Sequence, residues 1–298
     1  MKNIVKLVAI VIITLLTSQS LIAQDEEKNT KDDSGFKPVK ATFESQWIID
    51  NQTVMVPTKK TLEFVIQHRF GTVSNGIKDF WGLYATSNIR LGLSYTLFDK
   101  LGFGQFKGPL SIGIGTTKAN FVQDLNWKYS LIQQTRNNRI PVSVTYFGNV
   151  SMATEDPTSE LPNGNTSDRF SFFNQIIIAR QFTSKLSVQV APSISHFNVV
   201  EKEMNNDHFA VAFSGRYKFS PQSSILINVD QPITKHQFYN PQPNVSFGIE
   251  VSTSAHAFQV FGTCFNSIVP QYNNMYNQND PWDKGFLIGF NITRLWSF

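Results

Sequence analysis

Residues 89–97 run Ile89-Arg90-Leu91-Gly92-Leu93-Ser94-Tyr95-Thr96-Leu97, every odd position apolar and every even one small, polar or charged. A helix would wind those two sets around one another, whereas a strand sends them to opposite faces. The alternation returns at Leu125, Trp127, Tyr129 and Leu131 against Asp124, Asn126, Lys128 and Ser130, and again over 142–146, 209–219 and 245–251. Extended outward, the pattern predicts strands over 61–70, 88–97, 109–117, 122–135, 141–152, 169–183, 186–197, 208–219, 223–231, 244–252, 255–265 and 285–298. The segment 169–183 changes phase midway and 255–265 has an ambiguous phase. Most of the segments match the roughly 9–11 residues of a tilted membrane strand and exceed the roughly five or six of a soluble sheet.

The connections alternate as well. Long segments at 71–87, 153–168, 198–207, 232–243 and 266–284 interleave with short ones at 136–140, 184–185, 220–222 and 253–254. Membrane barrels have short turns on the periplasmic side and long loops outside, and a soluble sandwich has no reason to do so. Two connections break the rule: 98–108 is too long for a turn and 118–121 too short for a loop. The last strand carries Ile288, Phe290, Ile292, Trp296 and Phe298 on one face, with Arg294 as an intruding cation. Such a terminal aromatic strand resembles the signal read by the barrel-assembly machinery of outer membranes. Near an interface Arg294 should cost about 0–1 kcal/mol, against about 2–4 at the midplane. Aromatic residues make up 13% of the chain, and Tyr95, Trp127, Tyr217, Trp282 and Trp296 are candidates for interfacial girdles.

The N-terminus reads as a targeting segment. Lys2 and Lys6 precede the apolar run 4–16, a polar stretch follows, and Leu21-Ile22-Ala23 offers a cleavage site, so residues 1–23 are expected to be a signal peptide. The run is shorter than the roughly 20 residues of a spanning helix. A lipoprotein would need a cysteine at the new N-terminus, and the one cysteine is Cys264, which also excludes an internal disulfide. Loss of Lys2 and Lys6 takes the formal charge from +4 to +2, too little to argue for nucleic acid. Residues 24–59 are expected to be a periplasmic linker and N-terminal segment. Gln24 to Lys40 is a mixed-charge stretch without apolar period, either a solvated linker or a tail for a periplasmic partner. Segment 41–59, with Phe43, Trp47, Ile48 and Ile49, fits a periplasmic cap, a plug or an extra strand. The barrel proper is 60–298.

With the apolar face toward lipid, Glu63, Arg69, Arg90, Asp124, Lys128, Arg216, Lys218, Asp230 and Glu250 point into the lumen. Buried charges persist when paired or hydrated, so acids should face bases across neighbouring strands. Such a network either braces a filled lumen or lines a selective path. An enzyme finds little support. His68, His196, His208, His236 and His256 are scattered without metal-ligand spacing, and no zinc-protease, nucleophile-elbow or phosphate-loop motif occurs. No cofactor or metal is therefore expected. His68 shares the lipid-side phase of Leu62, Phe64 and Ile66, and Cys264 reads as a small apolar filler. The polar, aromatic loops 153–168 (Pro157, Pro162, Asn163-Gly164-Asn165) and 266–284 (Pro270, Tyr272, Tyr276, Trp282) are expected to cover the barrel mouth, with ligand binding as the alternative.

Several runs resemble a family of outer-membrane β-barrel proteins of Gram-negative bacteria, a domain of unknown function defined by its barrel. They are His68-Arg69-Phe70-Gly71, Asn88-Ile89-Arg90-Leu91-Gly92, Asn126-Trp127-Lys128-Tyr129-Ser130, Gln133-Gln134-Thr135 and Pro141-Val142-Ser143-Val144-Thr145-Tyr146. The likeness is best over 41–150 and implies a barrel, not an activity. The sequence thus predicts an all-β, transmembrane, antiparallel up-and-down barrel of about 12 strands in the cell outer membrane, in contact with its lipid. The leading role is a non-enzymatic pore for small solutes. A closed barrel serving as anchor or binding module for a periplasmic or extracellular partner is second, and a membrane-embedded hydrolase third.

Overall fold

The computed structural model describes residues 37–103, 106–155 and 165–298. The expected signal peptide, most of the 24–40 linker, and Pro157, Pro162 and Asn163-Gly164 of one loop lie outside the described residues. Two short strands come first, β1 (Trp47–Ile48) and β2 (Asn51–Gln52). Twelve wall strands follow. They are β3 (Thr61–Thr72), β4 (Asn88–Phe103), β5 (Phe106–Thr117), β6 (Val122–Ile132), β7 (Ser143–Ala153) and β8 (Phe170–Gln181). The wall continues with β9 (Leu186–Phe197), β10 (Asp207–Lys218), β11 (Ser223–Pro232), β12 (Asn244–Ser252), β13 (His256–Thr263) and β14 (Leu287–Ser297). Each pairs antiparallel with its sequence neighbour, and β14 closes on β3 through Phe290↔His68 and Ile292↔Ile66. Closure leaves no unpaired edge, which a sheet in hydrocarbon cannot tolerate.

The outward face is the apolar one. Leu91, Leu93, Ile112, Ile114, Ile225, Ile227, Phe247 and Ile249 are all exposed, a pattern that hydrocarbon rather than water stabilises. Ile288, Phe290 and Ile292 of β14 alternate with the buried Leu287, Gly289 and Asn291. Arg294 lies outward with its guanidinium 4.9 Å over the Trp296 ring, and Phe298 N–H donates to the Lys60 carbonyl. Trp127 lies over Gly148 so closely that a Cβ there would sit 2.3 Å from the indole.

Three expectations change. The long 98–108 connection is the continuation of β4 and β5 into a protruding hairpin with two register shifts, which absorb the residues that made it look like a loop. Strand β8 keeps one phase throughout: Ser171, Phe173, Gln175, Ile177 and Ala179 all face inward. The apparent change arose because part of the interior wall is itself apolar. Residues from 41 on do not stand outside the barrel, for β1 and β2 form a hairpin inside the lumen; of the three placements open to this segment, it is the plug.

The plug is two-faced. Phe43, Ile48, Ile49 and Val54 pack against Phe147, Phe173, Ile177, Ala191 and Leu226 of the wall, while Glu44, Gln46, Asp50, Asn51 and Gln52 meet polar wall positions. Its two-residue turn puts the fully buried Ile49 at φ 55, a region that costs a side chain about 1–2 kcal/mol. The packing around Ile49 holds it there. Pro38 bridges Thr135, and Lys60 N–H donates to the Thr96 carbonyl, so the plug enters and leaves at the end of the barrel that carries the short turns.

Because Gly148 leaves room for a flat indole, Gly148→Val should displace Trp127 and cost about 1–3 kcal/mol. Denaturant unfolding of the lipid-reconstituted chain measures this, and an unchanged midpoint would mean that the indole relocates freely.

Candidate functional site: a plugged lumen

All nine charged side chains expected in the lumen lie on the inward face, eight of them buried and Lys218 half-buried near the turn end. They do not form the expected web of wall acids against wall bases. Arg90 and Asp124 alone among the nine pair directly within the wall, with Nε and Nη2 donating to the two carboxylate oxygens at 2.9 and 2.8 Å. That bidentate pair lies flat against β5 because position 115 is glycine: a Cβ there would come within 2.2 Å of the guanidinium. Asn126 and Asn149 donate to the same carboxylate.

The other charges, Glu250 excepted, look to the plug. Arg69 donates from Nε and Nη2 to Asp50 Oδ1 at 3.2 and 2.9 Å, and both side chains are fully buried. The second Asp50 oxygen accepts from Thr263, Ser246 and Asn244. Arg216 and Lys218 both donate to Glu44, at 2.9 and 2.7 Å. Lys128 Nζ bonds the Gln46 carbonyl and Gln52 Oε1, and Glu63 faces the side chains of Gln46 and Trp47. Asp230 accepts from Asn51, Asn228 and Asn244, and Glu250 from Gln259.

Uncharged wall side chains complete the grip. Gln189, Gln259 and Asn291 donate to the carbonyls of Gln52, Trp47 and Ile49, and Thr145 to that of Val54. Gln175 and Gln181 reach Asn51 and the Ala41 carbonyl, and Ser94 accepts from Gln46. Plug bonds thus touch every wall strand except β5, whose inward positions are Ser111, Gly113, Gly115 and Thr117. Between plug and wall near Lys128 one void is about 20 Å³, room for about one water, and another of about 100 Å³ lies between Glu44, Gln46 and Met55 and the wall at Ala257, Thr293 and Leu295.

The opposite end is closed by the loop 266–284. Its helix α1 (Pro270–Tyr276) tucks into the mouth, and Gln271 donates to Asn149 and Ser151 on the inner face of β7. Tyr272 and Tyr276 pack edge-on against Phe197. The sequence showed a polar, aromatic loop here but no helical period, because about two turns are too short to display one.

The histidines divide between two settings. His68 faces outward and stacks on Phe290 at 4.9 Å, and His196 pairs with Asp207 at 2.8 Å on the outer rim. His208 Nδ1 and His236 Nε2 meet at 3.1 Å inside the mouth. Asn205 N–H donates to His236 Nδ1, so the His236 proton sits on Nε2 and points at His208. Burial holds His236 below the usual histidine range. Cys264 is fully buried and its thiol is pushed up to about 11 by burial, which suits a filler and not a nucleophile.

Residues 43–296 match the membrane-bound beta barrel domain family DUF5777. The chain belongs to this family. The matched span opens at Phe43, so the plug falls within the membrane-bound barrel domain. No curated protein matches the chain. Among solved structures it resembles an outer-membrane channel from Pseudomonas putida F1, at 12% identity over 81% of this chain and 97% of that one, with a TM-score of 0.50. It also resembles the KdgM porin, at 8% identity over 80% and 99% with a TM-score of 0.46. A third likeness is to outer membrane phospholipase A from Escherichia coli, at 11% over 90% and 94% with a TM-score of 0.44. At these identities the likeness is one of fold.

Two outcomes follow from this geometry. Asp50→Ala strands a fully buried guanidinium and should destabilise the barrel by about 3–5 kcal/mol, with Asp50→Ala/Arg69→Met recovering much of it. A double-mutant cycle read by denaturant unfolding checks this; additive losses would mean that the two residues act independently. A histidine held below its usual range binds fewer protons folded than unfolded, so its contribution to stability is complete above about pH 6.5 and falls as the pH drops below that. The hydrogen-exchange protection factors of 232–243, corrected for the intrinsic pH dependence of exchange, should therefore fall between pH 7.5 and 5, and His236→Gln should lessen the fall.

Proposed function

We propose that this membrane-bound barrel is a non-enzymatic, gated pore for small solutes in the outer membrane, closed by its own N-terminal hairpin. The observation that carries the reading is the chemistry of the contact between plug and wall. A lumen meant to stay shut is stabilised at least as well by apolar packing as by buried ion pairs. Here the wall presents amides, hydroxyls and charges to the plug, groups that water can satisfy when the plug leaves. The apolar outward face, the family's membrane-bound barrel and the aromatic C-terminal strand support placement in an outer membrane by the barrel-assembly machinery. The exported N-terminus expected from the sequence agrees with that route.

A second reading has an observation of its own. The cluster of Phe43, Ile48, Ile49 and Val54 against the wall is a core, and a permanently closed barrel acting as anchor or binding module would keep it. Planar-bilayer recording of the full mature chain, beside the full-length variant Glu44→Gln/Asp50→Asn, separates the two. The variant keeps the plug's shape and removes its three ion pairs to the wall. The intact chain should be closed most of the time, and the variant should show discrete, salt-dependent steps with an open fraction at least about tenfold higher, the effect of about 1.4 kcal/mol. Silence from both, with folding confirmed by a heat-modifiability gel, would discard the pore and leave the closed module.

A further inference from the structure

The contacts that hold the plug have a direction. Main-chain carbonyls of the hairpin accept from Lys128, Gln189, Gln259 and Asn291 of the wall. Its carboxylates accept too: Glu44 from Arg216 and Lys218, Asp50 from Arg69 and Thr263. Donation the other way is sparse and comes from the Ile49 N–H and from the Gln46 and Asn51 amides. Among the described residues, each ion pair across the contact joins a plug acid to a wall base. Within residues 41–57 the only charged side chains are Glu44 and Asp50.

Of the four wall acids, Glu63 alone faces mainly plug side chains, and when the plug leaves its charge is offset by that of Lys128; the other three are engaged differently. Asp124 is neutralised within the wall by Arg90, and Glu250 is held by the Gln259 amide. Asp230 keeps the Asn228 and Asn244 amides when Asn51 departs. Departure of the plug therefore strips partners mainly from donors. Arg69, opposite the first residue of β4, loses its carboxylate toward the loop end, and Arg216 and Lys218 lose theirs toward the turn end. The vacated surface is rich in N–H and O–H donors, with Arg69, Arg216 and Lys218 left without a carboxylate in two places along the path and Lys128 left beside Glu63.

From this we infer that the open lumen selects acceptor-rich anions, and that the plug's two carboxylates occupy the positions such a solute takes in transit. The ligand class is a small carboxylate carrying further oxygen acceptors, of which a sugar acid is the simplest form. A guanidinium matches a carboxylate in two parallel hydrogen bonds, and neighbouring amides and hydroxyls match ring and hydroxyl oxygens. Ordered sites at separated heights let a solute pass from one to the next instead of being trapped at one. The inference rests on the pore reading for transport, while preference for an anion at the vacated wall is a binding property that stands apart from conduction.

The test uses the full-length Glu44→Gln/Asp50→Asn variant, with glucuronate and glucose as matched charged and neutral probes. In a potassium chloride gradient its reversal potential should lie on the chloride side, and glucuronate should reduce the current at concentrations where glucose does not. Adding Arg216→Ala should weaken that block about tenfold, as expected for one charge-assisted contact. A reversal potential on the potassium side, or equal block by the two sugars, would overturn the anion preference while leaving the pore in place. If the folded variant passes no current, the pore reading is lost, and the preference is then read from thermal unfolding in detergent. Glucuronate should raise the transition of the variant more than that of the parent chain, whose wall is occupied, and glucose should raise neither. Equal shifts for both sugars would overturn it there as well.

Discussion

A fully buried carboxylate against a fully buried guanidinium, Asp50 with Arg69, fixes the rest of this molecule. Neither could stay charged alone in that setting without a cost of several kcal/mol, so each is evidence for the other's position. Holding Asp50 there requires a turn at Ile49, and the turn requires a hairpin reaching far into the barrel. A hairpin so placed must satisfy its backbone against whatever wall surrounds it, since water is excluded. The inward amides of β8, β9, β13 and β14 meet that demand. A single buried pair and the obligation to bond every peptide group thus account for much of the interior's composition.

Almost all of the wall was legible in the sequence. Period-two alternation located twelve strands, and for 186–197 and 244–252 the boundaries coincide with the observed ones. Legibility came from the outward face: lipid demands apolar residues at alternate positions, and that demand is the same on every strand. It failed where the inward face is not uniformly polar. Strand β8 carries Phe173, Ile177 and Ala179 inward because the apolar side of the plug lies there, and β13 carries Phe261 inward beneath Arg69. An alternation argument presumes a wet or polar interior, and a plugged barrel breaks the presumption locally.

The site was legible only in part. The nine inward charges could be found from phase, but their partners could not, because the partners lie far back in the chain. Asp50 precedes Arg69 by 19 residues, whereas Glu44 precedes Arg216 by 172, and no local pattern links them. Residues 41–54 gave one usable signal, the apolar group Phe43, Trp47, Ile48 and Ile49 ahead of a barrel with no soluble core to bury it. Helix α1 gave less, being too short for a period and capped by no side chain.

The plug is suspended by both feet from one rim. Its incoming foot is tied at Pro38 to Thr135 and its outgoing foot runs through Lys60 into β3, and both attachments are at the turn end. Topologically it is a tongue, not a thread. It can slide out of the cylinder and return with no chain end passing through the wall and no strand of the wall unpairing. The seam between β14 and β3 can stay zipped throughout the stroke, so the cylinder and the tongue are separable parts of one continuous chain.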